Sequence, residues 1–67
     1  MNNFFISVNN EQIHYFCAIN NDQAKIKAKS LVKQKYDEVK SVTLFVLNKI
    51  SNKQYEIYKP KNICKIL

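Results

Sequence analysis

The apolar positions of this chain form two strand-like blocks separated by one stretch of helical spacing. Residues Asn3 to Ile19 carry Phe4-Phe5-Ile6 and Tyr15-Phe16-Cys17 on either side of a polar break at Asn9-Asn10-Glu11, which predicts a β-hairpin. With Asn10-Glu11 as a two-residue turn, Val8 faces Ile13, Ile6 faces Tyr15 and Phe4 faces Cys17. Directly opposed residues share a face, so the other side pairs Phe5 with Phe16 and Ser7 with His14. Asn and Glu are not the strongest turn residues, and a slightly longer loop is the alternative.

The pattern then changes period. Ala24, Ala28, Leu31 and Val32 recur at i, i+4, i+7 and i+8 between Asp22 and about Tyr36, the narrow stripe of an amphipathic helix whose alanines permit close approach to a sheet. Asn20-Asn21-Asp22 supply short side-chain oxygens for the free amides of the first turn, and Lys33 and Lys35 suit the negative end of the helix dipole. A second hairpin follows. Val42 to Ile50 is rich in Val, Leu, Phe and Thr, Ser51-Asn52-Lys53 reads as the turn, and Gln54 to Lys59 as the partner strand. Pro60, which has no N–H for the ladder, is expected to end that strand. The tail Lys61 to Leu67 keeps Ile63, Cys64, Ile66 and Leu67, too apolar for a free terminus, and is expected to dock on the domain.

The order is therefore ββαββ, an α+β fold of two layers over residues 1–67 as a single domain. A four-stranded antiparallel sheet in the order 2-1-3-4 puts the two most apolar strands in the centre and leaves polar residues on the edges; order 1-2-3-4 is the alternative. One helix can cover only one face. A sheet covered on one side alternates apolar and polar residues, yet Phe4-Phe5-Ile6 and Leu44-Phe45-Val46-Leu47 are apolar on both sides. The outer face is expected to display Phe5, Phe16, Phe45 and Tyr58, with Leu47, His14, Thr43 and Glu56 around them. The tail, a second copy of the chain or a ligand must lie against it.

Size sharpens this expectation. A domain of 67 residues buries only about 60% of the surface its unfolded chain exposes, so it draws stability from disulfides, metals or oligomerisation. Cys17 and Cys64 are the only cysteines, too few for a disulfide scaffold or a four-cysteine zinc site, and read as two buried thiols, a single bridge between them being the alternative. Oligomerisation remains, and a homodimer is expected. The segment before Phe4 has no basic stretch of the signal-peptide kind, and no apolar run approaches the roughly 20 residues of a membrane span. These features predict a soluble cytoplasmic protein with no membrane partner.

Charge adds a second surface. The net charge is +6, and all 11 basic residues are lysines. Lysine is a point charge suited to phosphates and acidic surfaces, whereas reading guanine edges calls for the arginine fork. Lys25, Lys29 and Lys33 stand at i, i+4 and i+8 on the helix side facing solvent, with Ile26 about 180–200° from the core stripe. An exposed Ile26 among lysines suggests a contact patch. The abundance of Lys, Asn and Ile with no Gly, Arg or Trp is also what an AT-rich genome produces, which alone would account for the charge.

Candidate chemistry is sparse. His14 is the only histidine, and the Ser7 expected across from it would have no third group to orient the imidazole. The five acidic residues, Glu11, Asp22, Asp37, Glu38 and Glu56, fall on turns, a cap and an edge strand without converging as a carboxylate pair or metal site. A chain with no glycine has no phosphate-cradling glycine loop. No catalytic residue, cofactor or metal is expected. In length, composition and missing catalytic set the chain resembles, in style and in no particular motif, small accessory proteins of phages and mobile elements. The function expected is a non-catalytic, homodimeric binding protein that inhibits or adapts a host protein, with Phe5, Phe16, Phe45, Leu47 and Tyr58 on one contact surface and Lys25, Ile26, Lys29 and Lys33 on another. The alternative is binding of nucleic acid or a nucleotide through lysines and sheet-face aromatics, stacked bases contributing about 1–3 kcal/mol each.

Overall fold

The computed structural model describes residues 1–51 and 54–67, of residue 51 only the backbone. Its elements are β1 (Asn2–Val8), β2 (Gln12–Ala18), α1 (Asn21–Lys35), β3 (Val42–Ser51) and β4 (Glu56–Lys65). The strands form one antiparallel sheet in the order β2-β1-β3-β4, with α1 against one face, as the hydrophobic pattern predicts. Phe4, Ile6 and Val8 of β1 meet Val42, Leu44 and Val46 of β3 on that face, and Ala24 and Ala28 of α1 close over them. Leu31 and Val32 pack at the margin.

Helix entry follows the sequence closely. Asn20 is the N-cap, its Oδ1 accepting from the Gln23 amide at 2.8 Å, and Gln23 returns the favour by accepting from the Ile19 amide through Oε1 at 2.7 Å. One orphan donor of the first turn, and the amide of the residue before the cap, are thereby satisfied. Asn20→Ala should lower the unfolding free energy by about 1 kcal/mol, measured as an earlier urea midpoint, whereas Asn20→Asp should leave it almost unchanged.

The first hairpin differs from the expected register by one residue. Its loop is Asn9-Asn10-Glu11, Val8 opposes Gln12, and the Glu11 amide donates to the Val8 carbonyl at 3.1 Å. Asn9 (φ 54°) and Asn10 (φ 56°) both occupy the left-handed region, which asparagine tolerates better than other residues with a side chain. An extra loop residue inverts every β2 side chain, because side chains alternate with period two. Phe16 therefore lies opposite Phe4 on the helix side, their rings 5.9 Å apart and stacked. His14 lies opposite Ile6 on the same side, while Ile13 and Tyr15 take the outer face opposite Ser7 and Phe5. Phe16 and His14 thus leave the outer face on which they were expected, and Ser7 and His14 point to opposite faces.

Asn9 also ties the hairpin to the segment between α1 and β3. Its Nδ2 donates to the Glu38 carbonyl at 2.8 Å, and its Oδ1 accepts from the Lys40 and Ser41 amides at 2.7 and 3.1 Å. The Asn9 amide itself donates to the Ser41 carbonyl at 2.8 Å. One side chain thereby fixes the chain's entry into β3.

The second hairpin is longer than expected. Pro60 sits inside β4 opposite Leu47 instead of ending the strand. An edge strand has one side without a partner, and there a missing N–H breaks no ladder bond. The tail expected to dock is largely this strand: Cys64 pairs with Leu44, a bulge between Leu44 and Phe45 accommodates Ile63, and Ile66 and Leu67 exchange backbone bonds with Val42. Ile63, Cys64 and Ile66 pack against the helix-side core. Ser51, expected in the turn, is the last residue of β3, and Asn52-Lys53 lie outside the described residues. Both cysteines are free; Cys17 is exposed, contrary to the expected burial, and Cys64 is half-buried. They sit on opposite edge strands, three strand spacings or about 14 Å apart across the sheet and further along it, too far for a bridge within one chain.

Candidate functional site: the outer sheet face

Alternation along the strands carries Phe5, Phe45 and Leu47 to the face away from α1, as the two-sided apolar pattern requires. The ladder register sets Phe45 directly across from Phe5 and Tyr15 across from Phe5 on its other side. Phe5 and Phe45 stack at a centroid separation of 4.7 Å with planes 9° apart, and Phe5 meets Tyr15 at 5.4 Å with planes tilted by 51°. Each such pair contributes about 0.5–1.5 kcal/mol beyond its buried area. The result is a row of three rings across β3, β1 and β2.

Phe5, Phe45 and Leu47 are half-buried by their neighbours, whereas Tyr15 is 64% and Ile13 56% exposed. Tyr58 continues the face on β4 opposite Lys49, whose ammonium pairs with Glu56 at 2.7 Å. Thr43 and Glu56 border the row as expected. The tail's Ile63, Cys64 and Ile66 pack on the opposite, helix-side core, and Leu67 is exposed. Of the expected aromatic set, Phe5, Phe45 and Tyr58 are brought to one face and Phe16 is not; Tyr15 and Ile13 were missed. A three-residue reading of the loop at Asn9-Asn10-Glu11 would have found both.

The helix surface is as the spacing predicts, with one difference. Ile26 is 69% exposed and Lys29 and Lys33 are exposed, but Lys25 is half-buried. Lysines 27, 29, 33 and 35 and the β4 lysines 59 and 61 belong to the helix or to strand positions on its side of the sheet. On the outer face, alternation leaves Lys49, already paired with Glu56, and Lys65 opposite Thr43. Among the described residues, the lysines thus lie largely on the side of the sheet away from the Phe45-Phe5-Tyr15 row.

Among the described residues no three His, Cys, Asp or Glu side chains cluster as metal ligands, and no helix is long and apolar enough to cross a membrane. No family model, curated protein or solved structure matches this chain.

Proposed function

We propose that this chain is a non-catalytic protein-binding module, acting in the cytoplasm as an inhibitor or adaptor of a host protein through its outer sheet face. The observation that carries this reading is the ring row Phe45-Phe5-Tyr15, flanked by Leu47 and Ile13 and left open by both the helix and the tail. A stable interface takes about 800 Å² from each partner, roughly a sixth of this chain's 5095 Å² surface. One face of a four-stranded sheet is of that order. Aromatic side chains at the centre of such a face are the usual anchors of binding energy.

The nucleic-acid alternative is less well supported. Base-stacking platforms need cations beside the rings to hold the phosphates, and here most lysines lie on the other side of the sheet. Those lysines should still give weak, salt-sensitive attraction to polyanions. The test uses the Phe5→Ala/Phe45→Ala double variant, first verified as folded by circular dichroism. Captures from nuclease-treated host lysate should yield a protein on the unmutated chain and lose it on the variant. Binding of mixed-sequence single-stranded oligonucleotides at low salt should be the same for both. Oligonucleotide binding that collapses in the variant would transfer the face to nucleic acid.

A further inference from the structure

The two edges of the sheet are built differently. β4 carries Lys59, Pro60, Lys61 and Lys65 and is broken by a bulge, all devices that keep a strand edge from recruiting another strand. β2 has none of them: Gln12 to Ala18 contains no Lys, Pro, Asp or Glu, its seven-residue pairing with β1 is regular, and its outer-face residues Ile13, Tyr15 and Cys17 are exposed. A regularly paired, uncharged, half-apolar edge of this kind is a template for pairing. From this asymmetry we infer that β2 is where a second copy of this chain adds, antiparallel and related by a twofold axis through Tyr15.

Register and backbone direction specify the pairing. Tyr15 is the midpoint of Gln12–Ala18, so a dyad there pairs all seven residues. Ile13 then meets Cys17 of the second copy, and Tyr15 meets its own symmetry mate. The Val8 carbonyl accepts from Glu11 and so faces β2, which by alternation gives the inward bonds of β2 to Gln12, His14 and Phe16. The Cys17 carbonyl, which accepts from Lys27 Nζ at 2.8 Å, is thereby turned to the side of β2 away from β1. Backbone direction alternates along a strand, so Ile13, Tyr15 and Cys17 all present N–H and C=O to the open edge. A dyad at Tyr15 lets each of them bond to the other copy. Lys27 guards this edge, and a carbonyl has two lone pairs with which to accommodate both donors. The two Cys17 positions stand four residues apart across the dyad, about 13 Å, beyond the Debye length of about 8 Å at physiological salt, so the two Lys27 ammonium groups repel little.

An axis perpendicular to the sheet keeps like faces together. Both helices lie on one side of a continuous eight-stranded sheet, and the two ring rows join at Tyr15 into Phe45-Phe5-Tyr15-Tyr15-Phe5-Phe45. The dimer does not depend on what the outer face binds; only the use of the doubled face rests on the function proposed above.

Light scattering over a concentration series should show the mass of two chains. Tyr15→Lys, which opposes two ammonium groups at the dyad, should return it to the mass of one with the circular dichroism spectrum intact, and Lys27→Ala should tighten the dimer. In a Cys64→Ser background, Ile13→Cys should cross-link to Cys17 of the other copy on mild oxidation, at a separation suited to a disulfide, while the background alone should not. In the unmutated chain, hydrogen exchange at the Ile13 and Tyr15 amides should slow as concentration rises, which keeps the inference testable if a variant fails to fold. A single-chain mass into the millimolar range overturns it. So does a dimer abolished by Phe45→Ala but indifferent to Tyr15→Lys, the signature of face-to-face stacking. A single-chain mass leaves capture of a host protein by the outer face untouched, whereas face-to-face stacking would claim that face for a second copy; the lysate capture with the Phe5→Ala/Phe45→Ala variant therefore separates failure of the β2 dimer from failure of the proposed function.

Discussion

Phe4→Ala should leave little folded protein, whereas Phe5→Ala should cost far less although the two residues are adjacent and identical. Phe4 is fully buried, lies opposite Val46 on the helix side and stacks on Phe16. Removing such a ring costs about 3–5 kcal/mol, the lost transfer energy plus the cavity left behind. A chain of this size has a stability of about 3–10 kcal/mol at typical per-residue values, so the loss consumes most of it. Phe5 is half-buried on the outer face, and its removal forfeits two ring contacts of about 0.5–1.5 kcal/mol each with some apolar area. Urea unfolding followed by circular dichroism measures both. The same comparison one strand over, Phe16→Ala against Tyr15→Ala, reads the β2 register directly, with the larger loss expected at Phe16. Equal losses within either pair would overturn the assignment of faces.

Asn9→Ala should be the most damaging change outside the core, by about 3 kcal/mol. Two effects add. Alanine at φ 54° meets the left-handed steric penalty of about 1–2 kcal/mol, and the three side-chain bonds to Glu38, Lys40 and Ser41 disappear, each worth about 0.5–1.5 kcal/mol net when its partner can reach water. Asn9→Gly separates them, since it accepts the backbone angle and still loses the clamp. It should recover roughly half of the loss. Asn9→Asp keeps both acceptor bonds but turns a carboxylate toward the Glu38 carbonyl, and should fall between the two. Denaturant midpoints of the three variants check the series; a glycine variant as stable as the wild type would show that the clamp carries no weight.

How much of the site was legible depends on what each residue's placement required. Phe5 and Phe45 could be assigned to the uncovered face because they sit in runs apolar on both sides, and a single helix has one stripe. Tyr15 and Phe16 could not, because their faces depend on whether a loop holds two residues or three, and local composition at Asn9-Asn10-Glu11 permits either. The choice is made at a distance. The three-residue loop places Asn9 where it can hold the segment 38–41, and it sets Phe16 on Phe4 under the helix. Pro60 misled for a related reason: its lack of an N–H matters only where a neighbouring strand waits for one, and strand position within the sheet is a property of the whole fold.

Local pattern alone was enough for the element order, the helix with its Asn20 cap and alanine stripe, the sheet order 2-1-3-4 and the surplus of apolar strand positions, since these follow from periodicity and from the geometry of linking neighbours along the chain. Only the folded structure could decide the β2 register and the path of the tail. Each of these is a long-range pairing whose energy comes from residues far apart in sequence, and no short window of the chain contains both partners.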